Sequence, residues 1–357
     1  MTLTDLPQHR LLNQRIAQET RCSSPEEVVR WLGAVQAQDY GQAAWALGQR
    51  LRTPSQAAVA QAIADGNILL TWALRGTLHL VPAPDAGWLL QLLAPRQAAA
   101  ATARRQQLGL DEATHTRARN LVVRALQGGR AQTRAQLMQL FEQAGIGTTG
   151  QRGYHLLWSF GQEGLLCLGP LAGKQQTFVL LEEWVPTPTV LGREEGLATL
   201  ALRYFTSHGP ATAHDFAWWS GLAVGQARRG LESIKARLVT RKLEGKEYWW
   251  AENSPSTTAR PLPSTVHLLP GFDEYLLGYQ DRQAVLAAEH ADLVVPGRNG
   301  IFQPMVVVDG RIVGTWKRTF RKNDVEVFVK LFESQALSPV AAGQLARAIE
   351  QYQAFAR

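Results

Sequence analysis

Three stretches of this chain run through one order of elements: a helix, a short break, a second helix, then two strands closing on a turn. In the middle stretch a helix expected from Thr133, with Leu137, Leu140 and Phe141 on its apolar side, breaks at Gly145-Ile-Gly147. A second helix is expected over 149–161, and strands at 165–168 and 177–181 flank a Gly/Pro-rich loop holding Lys174. In the last stretch a helix opening at 209–212 breaks at Ser220-Gly-Leu222, a second covers 224–235, and strands at 237–240 and 248–251 flank Glu244-Gly-Lys246. Aligning Thr133 on Thr212 pairs the break at Gly145 with that at Gly221, a repeat of pattern rather than of identity. The first stretch opens on Ser24-Pro-Glu-Glu27, with Ser as N-cap, Pro at the first helical position and acids in the first turn. Helices at 43–51 and from Thr53 to Gly66 follow, then strands at 67–72 and 77–81.

Helix-turn-helix followed by a two-stranded wing is the winged-helix order. After a Ser/Thr/Pro linker at 254–264 the chain turns strand-like, at 266–269, 305–308, 311–316 and 325–331, with Asp309-Gly310 a strong hairpin signal. A helix over 338–355 closes it. The expected fold class is α+β: three tandem winged-helix units with a C-terminal small β (barrel-like) module and a terminal helix. The expected boundaries are 1–110, 111–192, 193–255 and 265–357.

Composition narrows the function. With 45% hydrophobic and 19% charged residues the chain is an ordinary globular protein. No apolar run is long enough to span a bilayer, and residues 1–10 lack a signal-peptide core, so a cytoplasmic protein is expected. Cys22 and Cys167 are isolated, and the eight histidines are scattered, with His208 and His214 six apart. Neither metal nor cofactor is expected. The net charge of +7 favours a polyanionic partner, although a basic surface also serves solubility alone.

The candidate site centres on Gln36-Ala-Gln38. Residues two apart face opposite ways on a helix and the same way on an extended chain. The amides can therefore share a ligand only if the preceding helix has ended. Neither is a base, but each offers one carbonyl acceptor and two N–H donors. The bare pattern is weak, since Gln351-Tyr-Gln353 repeats it in the terminal helix, where a solvated face is expected. Tyr40 and Trp45 stand beside the first copy as candidate DNA contacts. So do Arg75, Thr77 and His79 at the first wing, where a plain hairpin is the competing explanation. Arg228 and Arg229 lie on the second helix of the third unit, the usual groove reader, and Lys317, Arg318, Arg321 and Lys322 follow the C-terminal hairpin. Asp273, Glu274 and Asp281 are the carboxylates that an ordinary hydrolase would use, but capping and structural pairing is the favoured role for Asp273 and Asp281.

Larger motifs carry a resemblance. Leu11-Leu-Asn-Gln-Arg15, Val35-Gln-Ala-Gln38, the run from Thr71 to His79, Leu269-Pro-Gly-Phe-Asp-Glu-Tyr-Leu-Leu-Gly-Tyr-Gln-Asp-Arg282, Asn299-Gly-Ile-Phe-Gln-Pro304 and Val308-Asp-Gly-Arg-Ile-Val-Gly-Thr-Trp316 resemble, in order, the AlkZ/YcaQ family of bacterial winged-helix DNA glycosylases. The Gln-x-Gln form resembles its AlkZ-like branch. The resemblance implies a monofunctional glycosylase that hydrolyses the N-glycosidic bond of alkylated, N7-adducted, bulky or crosslinked purines in duplex DNA and extends to unhooking interstrand crosslinks. It implies Gln36 and Gln38 as the catalytic pair, and no cofactor, metal or membrane; a repeat-built surface needs no partner subunit, so a monomer is expected. The competing readings are a non-catalytic winged-helix regulator or architectural DNA binder, and a hydrolase working through the carboxylates of the tail.

Overall fold

The computed structural model describes residues 2–173, 175–254, 264–298, 300–322, 324–333 and 336–357. Most of the expected linker, together with Lys174 and Asn299, lies outside the described residues. The chain is a mixed α+β protein with small antiparallel sheets, divided into two compact units. One joins residues 1–59 to 198–357, and the other is the continuous stretch 60–197.

In the discontinuous unit, the Leu6–Asn13 helix buries Leu6, Leu11 and Leu12. Leu11, Leu12 and Ile16 enter a core with Leu269, Tyr275, Leu276, Phe302 and Met305, so the chain's two ends share one hydrophobic cluster. The Ala213–Ser220 helix starts with a reciprocal Thr212–Asp215 capping box and stops at Gly221, whose φ of 75° lies in the left-handed region. The Val224–Ile234 helix follows, then the antiparallel pair Leu238–Leu243 and Lys246–Ala251. The four-stranded sheet runs in the order Val325–Leu331, Arg311–Phe320, Met305–Val308, Val266–Leu269. At its tight hairpin Asp309 and Gly310 have φ of 51° and 83°, the two positive values that a type I′ turn requires. The Pro339–Ala356 helix packs on this sheet and on the Tyr40–Gln49 helix.

The continuous unit differs from the expectation of separate wings. Its hairpins, Ile68–Trp72 with Leu78–Pro82 and Leu166–Leu168 with Thr177–Leu180, pair edge to edge through Leu70 and Leu168. All five residues of Ile68–Trp72 are buried, which suits a central strand. Trp72 stacks on Phe178 with ring centroids 6.3 Å apart. A Cβ on Gly161 would lie 2.4 Å from Trp72, so only glycine lets that helix come so close. Helices Ala86–Ala100 and Glu112–Leu126 occupy a stretch where the sequence reading assigned no bounded elements.

Candidate active site

The Pro25–Leu32 helix decides where the glutamine motif begins. Ser24 accepts the Glu27 N–H at its start, and Gly33 closes it at φ 84°, donating to the Val29 carbonyl. The chain leaves as the extended pair Val35–Gln36, and Asp39 opens the Tyr40–Gln49 helix by accepting the Gln42 N–H at 3.1 Å. The condition for a shared face, a helix that ends before residue 36, is met. The Gln36 Nε2 donates to the Gln38 Oε1 at 2.8 Å. Gln36 is 7% exposed, whereas Gln38 is open to solvent, so the pair reaches from the protein interior to its surface. Their bond uses one donor of Gln36 and one acceptor site of Gln38 and leaves the Gln38 Nε2 outside it.

A buried carboxylate stands behind the motif. Glu274 begins the Glu274–Leu277 helix and is 0% exposed. Its Oε1 accepts the backbone N–H of Gln36 at 3.3 Å, and its Oε2 accepts the Trp219 indole N–H at 2.8 Å. The His208 Nε2 lies 3.3 Å from the same Oε2. Burial lowers the pKa of His208 and outweighs the pull of Glu274 in the other direction. Gly278 sits tight against His208, where a Cβ would come within 2.7 Å of the ring, and a Cβ on Gly33 would be in ordinary contact with Trp219 at 3.6 Å.

Asp273, one residue earlier, caps that helix by accepting the Tyr275 N–H and forms a two-pronged ion pair with Arg50 at 2.8 and 2.9 Å, both side chains fully buried. Asp281 pairs with Lys246 at 2.6 Å. These two carboxylates have the capping and pairing roles expected of them. Among the described residues no group of three or more His, Cys, Asp or Glu side chains is placed to hold a metal ion.

The other candidates separate by exposure. Arg318 lies beside the motif, its Nη2 3.5 Å from Asp39 and so close to Gly41 that a Cβ there would sit 2.9 Å away. Lys317 is exposed next to it, 5.6 Å above the Phe328 ring. Tyr40 is half-buried, and burial raises its phenol pKa. Arg228 and Arg229 are exposed on the Val224–Ile234 helix, and Arg228 lines an open cavity of about 790 Å³ with Lys235, Lys246 and Trp249. Arg75, at φ 56°, and Thr77 are partly exposed at the turn between two strands.

Two expectations fail on burial. Trp45 is 0% exposed: its indole donates to the Leu268 carbonyl at 2.7 Å and packs against Tyr352 and Phe355. It is a core residue, out of reach of DNA. His79 is also 0% exposed, its Nδ1 2.8 Å from the Thr77 carbonyl. It too is a packed core side chain. From the sequence alone Glu274 is a candidate only as a hydrolase carboxylate, and Trp219 and His208 have no part in the site. Their meeting with residue 36 spans 238 positions in the case of Glu274, and no local pattern signals it.

Comparison with known proteins bears on the whole arrangement. A solved structure, the Streptomyces sahachiroi DNA glycosylase AlkZ, superposes with a TM-score of 0.84 at 26% identity, covering 100% of this chain and 98% of that one. A curated relative from Streptomyces sahachiroi, an interstrand DNA cross-link repair glycosylase, is 30% identical over 93% of this chain and 91% of its own. The model of the AlkZ-like DNA glycosylase family matches residues 29–355, a span that holds both the paired amides and the carboxylate behind them. The chain therefore belongs to the AlkZ-like family of DNA glycosylases.

Proposed function

We propose that this glycosylase releases N7-alkylated purines from duplex DNA, with Gln36 and Gln38 holding the attacking water. The observation that carries the reading is the 2.8 Å bond between the two amides, which puts two neutral hydrogen-bonding groups side by side, one buried and one open to solvent. An N7-alkylated purine is cationic and a good leaving group, so the reaction needs placement more than proton transfer. The C1′–N9 bond breaks, its electron pair passes to the base and neutralises it, and oxocarbenium character develops on the sugar. The water oxygen then bonds to C1′ and its proton passes to solvent. Amides too weak to assist an uncharged leaving group would spare ordinary nucleotides.

In this reading winged-helix units over 1–110, 111–192 and 193–255 and the β module at 265–357 each contribute DNA contacts. Lys317, Arg318, Arg228, Arg229, Arg75, Thr77 and Tyr40 remain candidate contacts, since each is at least partly exposed. An open site of this kind suits adducts too large for an enclosed base pocket. The name of the Streptomyces relative, which specifies interstrand cross-link repair, supports extending the substrate class to crosslinks.

The test is release of base from a duplex carrying one N7-methylguanine, and from a nitrogen-mustard crosslink. Gln36→Ala and Gln38→Ala are each expected to slow release about a hundredfold while leaving duplex affinity nearly unchanged. Full activity in the double variant would move the catalytic site elsewhere.

A further inference from the structure

We propose that Glu274 is a positioning residue that holds the Gln36–Gln38 pair in its working geometry. This rests on the reading of those amides as the water-holding pair. An unpaired carboxylate in a protein interior is costly, so a fully buried one marks a place where acceptors are needed. The nearby Arg50 guanidinium is engaged by Asp273 with both prongs. Glu274 instead meets N–H donors on both oxygens, the Gln36 backbone on Oε1 and the Trp219 indole on Oε2, with the His208 Nε2 3.3 Å from that same Oε2. A carboxylate suits this position because both of its oxygens accept. A glutamine of the same shape would turn one of them into a donor, against either the Gln36 N–H or the indole N–H.

The mechanical consequence concerns residue 36 itself. Its backbone must be extended and correctly rotated for its side chain to meet that of residue 38. The motif is short, bounded by Gly33 on one side and the Asp39 cap on the other. Glu274 anchors its N–H between those two ends, from a helix whose cap, Asp273, is itself fixed by Arg50. Trp219, which packs under Gly33, holds the other carboxylate oxygen. One side chain thus ties the start of the motif to its reacting residue.

The experiment uses the full-length protein and a duplex with one N7-methylguanine. Glu274→Gln is expected to lower the single-turnover rate of base release about tenfold or more, with duplex affinity and melting temperature close to wild type. A rate within about twofold of wild type overturns the proposal, as does a parallel loss of rate, affinity and thermal stability, which would mark a purely structural residue. If Glu274→Gln does not fold, Trp219→Phe keeps an aromatic ring but loses the second donor. It is expected to slow release about threefold at unchanged affinity, and an unchanged rate overturns the proposal. The same assay keeps the two readings apart. Full activity in the Gln36→Ala, Gln38→Ala double variant would remove the site assignment; activity lost there and kept in Glu274→Gln would remove this inference alone.

Discussion

Two primary amides do not change charge near neutral pH, and that sets the pH behaviour expected of the site. His208, the titratable ring behind the motif, is held below its ordinary value by burial. The two thiols are buried as well, with pKa values raised to about 11 for Cys22 and about 12 for Cys167. Single-turnover release of N7-methylguanine is therefore expected to be nearly independent of pH between roughly 6.5 and 9. A rate rising by about one log unit per pH unit would reveal a titrating base and replace the positioning mechanism. At this scale the glutamine pair is legible because its demand on the backbone, a helix that has ended, is signalled by Gly41 and the change of pattern after Asp39; the stop itself falls earlier than that signal, at Gly33. Trp45 was misread for a physical reason. From Ala43 to Gln49 every residue of its helix is buried, so no polar face marked which side met solvent.

The sheet of the C-terminal module carries two expectations at the scale of elements. On the Arg311–Phe320 strand, Lys317 and Arg318 occupy neighbouring positions, so their side chains leave opposite faces. Arg318 reaches Asp39 and Lys317 does not share that contact. Lys317→Ala is expected to reduce the slope of log affinity against log salt by about 1 with little effect on the rate of bound enzyme. Arg318→Ala should reduce slope and rate together, and titrating duplex binding at several salt concentrations beside single-turnover assays separates the two. On the Val266–Leu269 strand, burial pushes the pKa of His267 from 6.5 down to about 3. Below pH 6.5 the unfolded chain takes up the proton first, so this contribution to stability is present above that pH and is lost as pH falls toward 3. Moving from pH 7 to pH 5 should cost about 2 kcal/mol from this group, read as a lower urea midpoint, and His267→Gln should shrink the difference. The Asp309-Gly310 turn was legible because few residue pairs adopt two positive φ values. The joining of two hairpins through Leu70 and Leu168 was not, since uniformly apolar strands fit a central position in any sheet.

For the whole molecule the decisive fact is that the unit bearing the glutamines is built from both ends of the chain, with residues 60–197 between them. A reading along the sequence finds helices and hairpins in order and sets domain boundaries where the pattern turns over. It has no means of seeing that residues 1–59 close against 264–357, because that closure rests on long-range pairs such as Arg50 with Asp273, 223 positions apart. Arg50 also donates to Gln14 and to the Ala46 carbonyl of its own helix, so its guanidinium ties two segments of the unit to one buried carboxylate. Asp273→Ala would leave that cation buried without its counter-charge, which typically costs about 3–5 kcal/mol, far more than an exposed ion pair is worth. The expected result is a large drop in the urea midpoint and a loss of base release that follows the loss of folded protein. Replacing both partners, Arg50→Met with Asp273→Leu, removes the uncompensated charge and should recover much of the stability. It should not restore the full rate, because Asp273 also caps the helix that presents Glu274 to Gln36. If the double variant regained stability and full activity together, the Asp273 cap would be irrelevant to the site.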